Sequence, residues 1–541
     1  MAKIPRLLCT ASAVLATSLP LWSQEVSGYD DLVRLFQEWR DFQKPRSVAG
    51  VPDYTTTAME EQRRQLPGYQ GRLAAIDIAD WPVAMQIDHH LVRAEMNGLD
   101  FDHRVLRPWA RNPNFYTTVI DSQSDTPLRE GPVIHGAIEL WRLSFPLSSS
   151  DVAALRTRLR AIPPILAQAS RNLTENARDL WVTGIRTQRS QSAVLANLAE
   201  LLASQHPELV DDASRARKAV DGFRSWLEEQ LPNKTGPSGV GIANYDWYLR
   251  NVHLVPFTWE DELRLMQREL ARSTAHLALE EHNNRNLPPL EPVSDPETWG
   301  RVSNAAVTEL MEFFETEPVL TVNGYMDHAL RERLSGFPQP DARNFFSQVD
   351  VRDPMVLRCH GIHWIDLAQI ANEPHASPIR RVPLLYNIWD SRAEGLATGM
   401  EELMMSAGLF DHKPQSRELV YIMVAQRAAR AISGLRMHSN EFDIDAARQF
   451  ASSNTPRGWM QENGGLNWGE QKLYLEQPGY GTSYITGKLL IDTLLAERSR
   501  QLGDQFELVE FMDALMAAGV IPVSLIHWEL TGQQHEILRS R

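Results

Sequence analysis

The chain has 541 residues, 43% of them hydrophobic, and a formal net charge of −15 with a pI near 5.6. That composition belongs to a globular protein and excludes a disordered or membrane-embedded body. The arginines are dispersed with no basic stripe, which excludes a nucleic-acid partner, because phosphate binding needs a basic surface.

Lys3 and Arg6 precede an uncharged apolar run over 7–22, the pattern of a secretion signal and too short to span a bilayer. Residues 1–23 are expected to be a signal peptide, with Ala16, Ser18 or Ser23 at the cleavage point. The mature protein is then exported, periplasmic or secreted, with no transmembrane segment. Cys9 stands too early to be a lipoprotein cysteine. If it leaves with the signal, Cys359 is the sole cysteine left, and a large core rather than cross-links supplies stability.

The body reads as helix after helix. Leu32, Leu35, Phe36 and Trp39 fall on one helical face. Val152, Leu155, Leu159 and Ile162 repeat the pattern up to Pro163-Pro164, which is expected to end that helix. Val194, Leu198 and Leu201 give another stripe, and Val220, Phe223 and Leu227 a further one. Thr258-Trp259-Glu260-Asp261 predicts a capping-box start for a helix carrying Leu263, Met266 and Leu270. The Gly, Pro and Ser of 233–241 mark the clearest break, either a linker between helical halves at 24–232 and 242–541 or a long loop within one body. Short β-rich pieces are expected only at 319–322 and 345–351. The class is mainly α with at most a small sheet.

Chemistry concentrates in Arg358-Cys359-His360-Gly361-Ile362-His363-Trp364-Ile365-Asp366, with Glu394 downstream. Imidazole, thiolate and carboxylate are the ordinary ligands of zinc. His360 and His363 can share a helical face, although Gly361 weakens a continuous helix there. They can equally be hydrogen-bonded histidines of a packed turn. Cys359 fits a small buried apolar position. His89 and His90 are taken as structural, since adjacent helical residues diverge by about 100° and do not easily share one ion.

Several spaced motifs resemble one family. They are Ala393-Glu394-Gly395-Leu396-Ala397 followed by Glu401, Arg427-Ala428-Ala429-Arg430 leading to His438, and Gln477-Pro478-Gly479-Tyr480-Gly481-Thr482-Ser483-Tyr484-Ile485-Thr486-Gly487-Lys488. The family is the bacterial domain of unknown function 885, exported helical proteins that look like gluzincin-type zinc peptidases. The resemblance implies a multi-helical zincin-like body with a deep cleft. The family-like Glu394 helix, together with the donors clustered upstream, predicts a divalent metal, zinc by its ligand chemistry, held by Glu394 and His363 with His360 or Cys359 as third ligand. His438 and Tyr484 would be cleft donors, and Arg427 and Arg430 would hold a substrate carboxylate. One good oxyanion donor is worth about 2.7–4 kcal/mol.

This chain departs from the family at the chemistry. The family pattern is His-Glu-x-x-Pro-Gly-His-His-x-Gln, whereas here neither His360 nor His363 is followed by Glu. The general-base carboxylate has no counterpart, and Asp366 is the nearest substitute. The expected function is an exported metal-dependent hydrolase acting on short peptides or peptide-like amides. The alternatives are an inactive relative that binds a ligand or partner in the cleft, and a metal-assisted lyase or hydrolase acting on a non-peptide small molecule.

Overall fold

The computed structural model describes residues 28–48 and 50–539, so the expected signal peptide lies outside the described residues. It is 69% helix and 2% strand, which fixes the class as mainly α. The strands are two short pairs, Ser47–Val48 with Val51–Pro52 antiparallel and Val119–Ile120 with Ile138–Glu139 parallel. Neither lies where strands were expected. The 345–351 stretch is instead helical over Phe345–Asp350, because Asn344 caps its first turn and Phe345 and Val349 bury one face. Residues 319–322 are irregular.

Helix Tyr29–Phe42 buries Leu32, Leu35, Phe36 and Trp39, as its stripe predicts. Helices Ser149–Asn172, Arg178–Gln205 and Val210–Gln230 pack together around a core that includes Leu159, Leu195, Leu198 and Val220. The first of these runs through Pro163 and Pro164 instead of ending there. An interior proline costs about 3 kcal/mol or more. Here Ile165, Leu166 and Ala169 are buried beyond the prolines, so packing holds the helix past the break. Helix Trp259–Asn284 opens on the capping box between Thr258 and Asp261.

The main apolar cluster runs from Tyr29 to Leu538 and draws on both ends of the chain. Segment 233–241 is fastened down rather than free. Gly239 N–H donates to Asn440 Oδ1 at 2.9 Å, Gly241 N–H to His438 O at 2.9 Å, and Arg111 donates to the carbonyls of 237–239. A Cβ on Gly239 would meet Met437 O at 2.1 Å, so only glycine lets the segment lie this close.

Three helices frame the chemistry: Asp390–Ser406, Ser416–His438 and Tyr480–Leu502. Ser416–His438 is buried almost all round, the mark of a central helix. The first and third cross at two glycines. A Cβ on Gly395 would fall 2.5 Å from Gly487 Cα, and one on Gly487 would fall 2.0 Å from Ser391 O. That crossing sets Glu394 against the start of helix Tyr480–Leu502. Among the described residues no helix is long and apolar enough to cross a membrane.

Candidate metal centre

Gly361 ends one helix and starts another, with Pro354–His360 before it and Ile362–Asn372 after it. The break leaves the two imidazoles facing each other edge to face, with ring centres 5.0 Å apart. Glu394 approaches from helix Asp390–Ser406. One ligand atom from each of His360, His363 and Glu394 lies within 4.8 Å of the other two. The sequence-predicted triad is therefore brought together in space.

His363 Nε2 lies 3.3 Å from Glu394 Oε2, and both side chains are buried. The contact has ion-pair distance without hydrogen-bond geometry, so Nε2 has no hydrogen-bond partner. Burial opposes the charge on both groups, but proximity wins. Asp125 and Glu394 raise the His363 imidazole to about 9, and His363 with Tyr480 holds the Glu394 carboxyl down at about 2. Tyr480 Oη donates to Glu394 Oε1, and the same hydroxyl lies 3.3 Å from Glu130 Oε1. Burial and the neighbouring Glu394 drive the Tyr480 phenol well up, so it keeps its proton. The donor set of two imidazoles and one carboxylate suits zinc, and the buried His363 nitrogen without a hydrogen bond fits a ligand role.

Behind the triad, Glu401 accepts both guanidinium nitrogens of Arg427 at 2.7 Å and lies 3.2 Å from His360 Nδ1. Burial, then the Arg427 charge, lowers the His360 imidazole against the pull of Glu401. Arg430 is paired with Glu470 and lies over the Tyr484 ring at 4.3 Å. Both arginines thus have carboxylate partners within the protein. Tyr484 lies 6.0 Å, ring to ring, from Tyr480, and it is Tyr480 that bonds Glu394. His438 lies opposite the Tyr474 carbonyl at 2.8 Å and packs on Tyr245. Burial lowers its imidazole to about 4. Asp366 accepts a two-point contact from the fully buried Arg392, at 3.0 and 3.1 Å. Cys359 is a free, buried thiol in the main apolar cluster and outside the triad. His89 and His90 bond the Leu73 carbonyl and Arg93.

Sequence reasoning assigned no role to Tyr480, Glu401, Asp125 or Glu130. Tyr480 and Glu401 stand inside the quoted motifs, so their positions were visible although their contacts were not. Asp125 and Glu130 come from an irregular segment near residue 130 with no helical pattern to mark it. Ser124 Oγ donates to Glu130 Oε2 at 2.9 Å and helps fix that segment.

The sequence matches the family described as "Bacterial protein of unknown function (DUF885)" over residues 44–322 and 363–530. The match resumes at His363, leaving His360 and Cys359 in the unmatched interval. No curated protein matches the chain. Two solved structures share the fold. One is a candidate lipoprotein of unknown function from Shewanella oneidensis, with TM-score 0.68 and 15% identity over 94% of this chain and 99% of that one. The other is a candidate lipoprotein from Colwellia psychrerythraea, with TM-score 0.67, 15% identity and the same coverage. With most of its length matched by the family, the chain belongs to the DUF885 family of bacterial proteins.

Proposed function

We propose that this protein is an exported, zinc-dependent hydrolase of zincin-like architecture, acting on short peptides or peptide-like amides at the His360–His363–Glu394 cluster. The observation that carries the reading is the convergence of these three donors from separate helices, with the His363 nitrogen buried and not hydrogen-bonded. His360, His363 and Glu394 would hold the ion. Zinc would supply Lewis acidity and make water acidic enough to act near neutral pH. Arg427 and Glu401, at 3.1 and 3.2 Å from His360 Nδ1, would together hold that ring in place. Tyr480 would fix the Glu394 carboxylate.

Asp366, engaged by Arg392, is poorly placed to move protons, so that role passes to Glu130, whose carboxylate adjoins Tyr480. The similarity to candidate lipoproteins and the basic, then apolar, start of the sequence support a place in the cell envelope. A second reading, an inactive relative that binds a ligand in the cleft, is favoured by the His363–Glu394 ion pair, since the two charges offset each other without an ion.

Elemental analysis of the mature protein decides between them. The proposal expects about one zinc per chain, loss of most of it in Glu394→Gln with the helical circular dichroism unchanged, and chelator-sensitive cleavage of a mixed peptide library. Protein that stays metal-free after zinc titration would overturn it in favour of the inactive binder.

A further inference from the structure

A cavity of about 540 Å³ adjoins the segment that carries Glu130. Glu130 reaches Tyr480 at the metal cluster, while its neighbours Leu128, Arg129 and Gly131 line the cavity. The volume is that of a small-molecule site. Its walls include Leu99, Leu106, Trp109, Phe115, Tyr248 and Tyr386. Three acids line it as well: Glu139 is paired with Arg142 and Glu476 with Lys472 and Asn112, which leaves Asp102, at the start of a π-helical turn over Asp102–Leu106, as the one without a partner among the described residues.

Among the described residues the Asp102 carboxylate has no hydrogen bond or ion pair, and burial followed by its nearby charge holds the phenols of Tyr248 and Tyr386 protonated. Arg129, Arg158 and His135 also line the cavity, but they are exposed and none pairs with it. Lone carboxylates are costly out of water and are ordinarily matched by a cation. Asp102 is half-buried at the cavity wall, and that burial pushes its carboxyl up to about 8 with no opposing charge.

The backbone around it is also held in an uncommon form. Arg107, Tyr386 and Asn387 have left-handed φ values of 40°, 57° and 50°. Such conformations in non-glycine residues, like π-helical turns, gather at functional sites. Tyr386 lies directly on Gly98, where a Cβ would fall 2.3 Å from its ring. The Tyr386 wall of the cavity is therefore fixed by that glycine.

We propose that this cavity binds an organic ammonium ion with an apolar or aromatic body, its charge paired with Asp102 and its body against the aromatic wall. The ligand supplies the cation that the protein withholds, and aromatic rings add attraction for a desolvated ammonium. The inference does not depend on the metal reading.

The test is calorimetric titration of the mature protein with 2-phenylethylammonium chloride and with its uncharged counterpart, 2-phenylethanol. Saturable binding of the ammonium, about tenfold or more tighter than the alcohol, is expected. Asp102→Asn should bring the ammonium down to the affinity of the alcohol while leaving the thermal midpoint unchanged or higher, because an unpartnered carboxyl is replaced by a neutral amide. Leu106→Trp, which fills the cavity, should abolish binding of both. Equal wild-type affinities for the two compounds, or no saturable binding at millimolar concentrations, would overturn the proposal whether or not either variant folds. So would ammonium binding that survives in a folded Leu106→Trp.

Discussion

At Glu394 and His363, burial and pairing pull in opposite directions, and the resulting protonation states can be tested without any substrate. His363 is raised from 6.5 to about 9, so its stabilising contribution is complete below pH 6.5 and is lost as pH rises through 9. Glu394 is lowered from 4.5 to about 2, so its contribution is present above pH 4.5 and is lost as pH falls through 2. Both shifts describe one interaction and are counted once. Chelator-treated protein should therefore be most stable between pH 4.5 and 6.5 and lose on the order of 2–3 kcal/mol by pH 9. Thermal melts across that range would show it, and Glu394→Gln should flatten the alkaline limb. A wild-type curve already flat above pH 6.5 would argue against the pair. Asp366 makes the contrasting case. Asp366→Asn would leave the buried Arg392 charge without its partner, a loss of about 3–5 kcal/mol for a broken buried pair. The melting temperature should fall with zinc content unchanged. Lost zinc in a stably folded variant would instead return Asp366 to the site.

At the scale of elements, the glycines of the Glu394 and Lys488 motifs have a packing reason. Gly395 and Gly487 let two helices touch backbone to backbone, which places Glu394 beside Tyr480. Gly395→Ala should cost at least about 1–3 kcal/mol, the usual range for overpacking, and should lower metal content by moving Glu394. Gly399→Ala, one turn further along the same helix, is the control. Its Cβ would meet only Lys488 Cγ at 3.8 Å, so the variant should be neutral or gain about 0.5–1 kcal/mol from the better helix former. Melting both variants alongside zinc analysis checks the pair; equal effects would mean that the crossing does not set the site.

At the scale of the whole molecule, the C-terminal half carries the cluster but not all of its support. Arg380, fully buried, donates to Asp88 at 2.8 Å, and Asp88 accepts from Tyr29 at 2.6 Å. Leu32, Trp39, Ile87 and Leu91 share the main apolar cluster with Trp389, Leu396 and Met423. Residues 242–541 expressed alone should lack near-ultraviolet circular dichroism and a cooperative melt, because they lose one wall of that core and Asp88, one of the two carboxylates paired with Arg380. A sharp melt from the fragment would show that the halves fold independently. The sequence by itself determined the helical class, the stripe of helix Tyr29–Phe42, the Thr258 capping box and the candidate donors His360, His363 and Glu394, because periodicity, caps and ligand chemistry are local properties. Only the tertiary structure decided that the helix runs through Pro163-Pro164, that 345–350 is helical, and that 233–241 is pinned. It also decided which partners Asp366, Arg427 and Arg430 engage and which tyrosine reaches Glu394. Those outcomes depend on which surfaces meet across hundreds of residues, and no spacing within a single segment encodes that.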